Sequence, residues 1–121
     1  MSEKQGLMAL MNFGFKIPDV SLAELQAVIE RRQAKVREGL PKFQEETDAT
    51  TATLCPDVMF QDGKIVLAAH LFFEGPTDPD GFAADGICES IGPLTHFWTE
   101  DVGATDCWLE NILSVTKEGK H

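Results

Sequence analysis

The chain has 121 residues, 43% of them apolar, and a formal net charge of −10. That length suits one domain able to bury its own core, and the apolar share is that of a folded protein. No apolar run nears the ~20 residues of a membrane span, and the acid excess argues against direct contact with nucleic acid or an anionic bilayer.

The N-terminus, Met-Ser-Glu-Lys-Gln-Gly, opens with mixed charge, and the apolar block Leu7–Met11 is too short for a signal sequence. The expected location is the cytoplasm. Cys55, Cys88 and Cys107 are odd in number and widely spaced, which fits neither a disulfide framework nor a zinc ribbon.

Within residues 1–18, Leu7–Met11 reads as one or two helical turns or as an arm. Phe13, Phe15 and Ile17 alternate with Gly14 and Lys16 as in a short edge strand ended by Pro18. Ser21, with Glu24 three residues on, begins an amphipathic helix over 22–38. Leu22, Leu25, Val28, Ile29 and Val36 form its inward stripe, and Gly39-Leu40-Pro41 stops it.

A β-hairpin is expected over about 54–73, turning at Asp62-Gly63, with Val58 and Phe60 on one face of its first strand. Its second strand is apolar on both sides: Ile65, Leu67, Ala69, Leu71 and Phe73 on one, Val66, Ala68, His70 and Phe72 on the other. Such a strand belongs inside a sheet covered on both faces, the second cover being a pocket or another subunit.

Glu74–Gly81 is turn-rich. A short helix over 82–90 stopped by Gly92-Pro93 follows, then a strand over 94–100. Residues 105–117 read as a last helix capped by Thr105, with a strand as the alternative. The expected fold is a single α+β domain, a small antiparallel sheet built on the hairpin with the long helix on one face and one or two short helices.

Charge divides the chain. Residues 1–48 hold seven Lys/Arg and eight Asp/Glu, whereas Ile65–Thr116 contains no Lys or Arg and nine acids. Glu74, Asp78, Asp80, Asp85, Glu89, Glu100 and Asp101 are therefore candidate contacts for a basic protein partner. An EF-hand count from Asp78 fails at Phe82 and Ala83, so no metal is expected. No phosphate-cradling motif or nucleophile elbow occurs, and no cofactor is expected.

His70 and His96, read on separate strands, are candidate general bases should the chain be an enzyme. Phe72, Phe97, Trp98 and Trp108 are candidate pocket walls. Two functions follow from these residues. The first is an acidic interaction protein (adaptor, accessory subunit or inhibitor) acting through its second half. The alternative is a small dimeric enzyme or ligand-binding protein. A homodimer suits both.

Overall fold

The computed structural model describes residues 3–75, 78 and 80–118. Among these the fold is α+β, with strands β1 (Glu3–Lys16), β2 (Thr51–Gln61), β3 (Lys64–Glu74) and β4 (Asp106–Glu118), and helices α1 (Leu22–Thr47) and α2 (Phe82–Val102). The strands form one antiparallel sheet in the order β2-β3-β1-β4. The β-α-β-β-α-β sequence of elements gives the split β-α-β arrangement of ferredoxin-like folds.

β1 corrects the expectation of an arm or edge strand, since it is an inner strand paired with β3 on one side and β4 on the other. Leu7, Ala9, Met11, Phe13 and Phe15 alternate along it and all are buried. Met8 and Leu10 between them are apolar too, so the two-residue period is masked and the run imitates a helical turn. The hairpin of β2 and β3 forms with Asp62 at φ 53° and Gly63 at φ 74°, the left-handed pair of a type I′ turn. It lies to one side of the sheet, with β2 at the edge, and the sheet is centred on β3 and β1. Pro56 tolerates an edge position because it has no amide to donate, and the register slips around it between Leu54 and Val58.

Both helices run past the prolines expected to limit them. α1 begins where expected, with the Ser21 hydroxyl accepting from the Glu24 amide, but it continues through Pro41 to Thr47. Val36, Leu40, Phe43 and Thr47 are its buried side chains, so its packing lies beyond the expected end. Leu22, expected inward, is 86% exposed. Each proline leaves one carbonyl without its helical donor, and both prolines are exposed, so water can satisfy it.

A single α2 replaces the expected short helix and strand. Ala84, Ile87, Ile91, Trp98 and Val102 recur at helical spacing and are buried, and Pro93 sits on the outer side. Two helices thus stand among the described residues, in place of one long helix and one or two short ones.

β4 corrects the favoured helix over 105–117. A bulge at Glu110, where Leu10 faces Asn111 and Met11 faces Leu109, shifts the inward phase from odd to even. Cys107 and Leu109 pack on the core before it and Ile112 after it. That shift imitates a helical stripe.

The helices pack on each other and on the sheet face that carries the odd-numbered residues of β1 and β3. Phe43 meets Trp98 edge-on, with ring centroids 4.5 Å apart. No helix of the chain is long and apolar enough to cross a membrane, among the described residues.

Candidate functional site

Among the described residues no helix lies over the other sheet face. Its two inner strands contribute Met8, Leu10, Asn12 and Gly14 from β1, opposite Phe72, His70, Ala68 and Val66 from β3. β4 adds Asp106, Trp108 and Leu113, and β2 adds Thr51, Thr53 and Met59. Phe72 and Val66 are buried by their neighbours, Met8, Leu10, Ala68 and Trp108 are half-buried, and Met59 and Leu113 are each 42% exposed. An antiparallel sheet that faces water normally carries polar residues there; this one is largely apolar.

Besides Thr51 and Thr53 of β2 and Asn111 of β4, three side-chain clusters punctuate the face. On the β4 side, Glu110 accepts from Trp108 Nε1 at 2.7 Å and from Asn12 Nδ2 at 3.3 Å. The bulge brings the Glu110 carboxylate back over the sheet toward both donors. On the β2 side, His70 Nε2 lies 3.1 Å from Cys55 Sγ. The Cys55 thiol is pushed up, first by burial and then by the negative charge of Asp57, so it stays a thiol at neutral pH and acts as a hydrogen-bonding partner of the imidazole.

At the hairpin end, Lys64 Nζ and Asp106 Oδ2 pair at 2.8 Å. Hydrogen bonding to Lys64 holds the Asp106 carboxyl below its usual range, against partial burial and with help from the Thr105 hydroxyl. Gly14 makes room for this pair, since a Cβ there would collide with Asp106 Oδ1. Gln61, Asp62, Lys64, Val66, Asp106 and Trp108 enclose a depression of about 200 Å³ at this end.

The expected site residues scatter over both faces. His70 lies on the uncovered face, but His96 is exposed on α2, on the other side of the sheet, so the two imidazoles do not converge. The four aromatics line no common pocket. Phe72 and Trp108 belong to the uncovered face, Trp98 is in the core, and Phe97 is 52% exposed beneath Lys42, whose Nζ is 5.6 Å from the ring centroid.

Among the acids, Glu74 ends β3, Asp78 accepts from the Asp80 amide in the following loop, and Asp85 and Glu89 are exposed one turn apart on α2. Glu100 and Asp101 stand at the far end of α2, where Asp101 meets Lys42 at 3.8 Å. Asn12, Cys55, Lys64, Asp106 and Glu110 were not expected here. Asn12 was visible as the one amide side chain in the apolar run Leu7–Phe15.

Cys107 is on the core side of β4, and burial, followed by the charge of Asp106, pushes its thiol up to about 12. No protein-family description matches the chain, and no curated protein or solved structure matches it significantly.

Proposed function

We propose that this chain is a non-catalytic interaction protein that works as a homodimer joined through its uncovered sheet face. The observation that supports this most is the apolar surface of Met8, Leu10, Ala68, Trp108 and Leu113 on the side of the sheet away from the helices. Strand spacing and rise give a four-stranded face of eleven-residue strands about 700 Å² per copy, close to the ~800 Å² each partner contributes to a standard interface. Charge favours a second copy as the occupant. Lys64 neutralises Asp106 on this face and leaves the hydrogen-bonded Glu110. Among the described residues the α2 acids Asp85, Glu89, Glu100 and Asp101 share one ion pair, Asp101 with Lys42. Two chains of net charge −10 therefore meet at the sheet face with less repulsion than on α2.

The dimer leaves the helix layer free. α2 carries Asp85, Glu89, Glu100 and Asp101, all exposed, and no Lys or Arg. In this reading they form, with Asp78 and Asp80, the surface that docks on a basic protein partner, while Glu74 ends the even-numbered series of β3 at the margin of the uncovered face. Sedimentation of the wild type and of Leu113→Glu tests the dimer, and salt-dependent capture of a basic protein by the dimer tests the second surface.

A second reading rests on the His70–Cys55 contact. In a face-to-face dimer these groups lie within the interface, where the imidazole can serve as general base for a small ligand. His70→Ala separates the readings. It abolishes turnover if the chain is an enzyme and leaves partner capture intact if it is not.

A further inference from the structure

A second concave surface lies between the β1–α1 connection and the flank of α1 that carries Val28 and Arg32. Lys16, Pro18, Val20, Val28, Arg31, Arg32 and Lys35 line a cleft of about 470 Å³. That size falls in the range of small-molecule pockets. Four of the chain's ten basic residues meet here, in a protein with twice as many acids, and among the described residues no acid lines the cleft. Asp19, between two lining residues in sequence, is exposed.

Among the described residues the ion pairs are Lys42–Asp101 and Lys64–Asp106, so none of these four cations is neutralised by a carboxylate. Lys35 also borders the neighbouring groove, which Glu38 shares, and this leaves Lys16, Arg31 and Arg32 as the core of the positive cluster. Bringing like charges together costs free energy unless an anion offsets it.

We infer that this cleft binds a small phosphorylated molecule with an apolar body. The charges specify the head group, because guanidinium forks match phosphate oxygens in pairs, and a lysine ammonium adds a point charge. Arg32 borders the cleft with its guanidinium packed on the Phe15 ring, Cζ 5.1 Å from the centroid, and beside Gly103. Lys16, Arg31 and Lys35, in contrast, are exposed and free to turn to a head group. Pro18, Val20 and Val28 specify the body. They supply an apolar wall beside the cations, and Val20 is 40% exposed.

Isothermal titration of the full chain at roughly physiological salt tests this, with phenyl phosphate and inorganic phosphate as separate probes. The expected result is saturable binding of one phenyl phosphate per chain, with inorganic phosphate weaker. Arg31→Ala with Lys35→Ala should weaken phenyl phosphate by about tenfold or more, and both side chains are exposed, so the fold survives. Val28→Asn should weaken phenyl phosphate and spare inorganic phosphate. Lys42→Ala, outside the cleft, should change neither. The inference is overturned if neither probe gives saturable heat up to ~10 mM, if the double variant binds like the wild type, or if Lys42→Ala weakens binding as much.

Discussion

Gly39 of α1 lies against the indole of Trp98 in α2: a Cβ at position 39 would stand 2.8 Å from Cζ3 of the ring. That distance sets how closely the helices approach. The ring is 1% exposed and Phe43, one turn further along α1, meets it edge-on, so it has little room to shift. Gly39→Ala is therefore expected to destabilise the fold by about 1–3 kcal/mol, although alanine is the better helix former by ~1 kcal/mol. Urea unfolding followed by Trp fluorescence measures it. A more stable variant would show that the helices are not in tight contact there.

The same indole carries a buried Nε1 without a hydrogen-bond partner among the described residues. Removing an unsatisfied donor offsets part of the volume lost on truncation. Trp98→Phe should cost about 1 kcal/mol or less, whereas Trp98→Ala should cost about 3–5 kcal/mol. Equal losses in the two variants would mean that the indole N–H has a partner after all.

The three thiols should react in a fixed order. Cys88 is exposed on α2 and should be alkylated first. Cys55 follows, its thiol raised by burial and Asp57, and Cys107, at about 12, comes last. Unfolded, Cys107 titrates near 9.0, so its buried neutral form contributes stability that is whole below that value and lost as pH rises from there toward about 12. Alkylation mapped by mass spectrometry at mildly alkaline pH gives the order. Modification of Cys107 before Cys88 in the folded protein would contradict it.

Asp106 has the opposite sign. Its carboxyl is held down chiefly by Lys64, so the pair contributes stability above the ordinary value of 3.8 and loses it as pH falls through the lower folded-state value. Both side chains are more than a third exposed, so screening limits Asp106→Asn to roughly 0.5 kcal/mol near neutral pH. The wild-type and variant stabilities should converge in strong acid. A difference that grew on acidification would assign the shift to another group.

Legibility followed the strength of local signals. The Ser21 start of α1 and the Asp62-Gly63 turn were readable because each depends on a few adjacent residues with defined backbone roles. The extents of the helices were not, because burial of Phe43 beyond Pro41, and of Trp98 beyond Pro93, outweighs one missing amide in each. β4 was ambiguous because the Glu110 bulge moves its inward phase by one residue. The uncovered face was half visible in Val66, Ala68, His70 and Phe72, and its other half stayed hidden with β1. His70 and His96 were brought near each other only by reading residues 94–100 as a strand; the helical period of α2 separates them.

Sedimentation velocity at low micromolar concentration, on the wild type and on Leu113→Glu, bears most directly on the claim that the uncovered sheet face joins two copies. Leu113 pairs with Met8 on that face and is 42% exposed, so a charge there is tolerated by a free chain and buried by a dimer. The account predicts a wild-type dimer and a Leu113→Glu monomer with unchanged far-ultraviolet circular dichroism. A monomeric wild type, or a Leu113→Glu variant that remains dimeric, would contradict it.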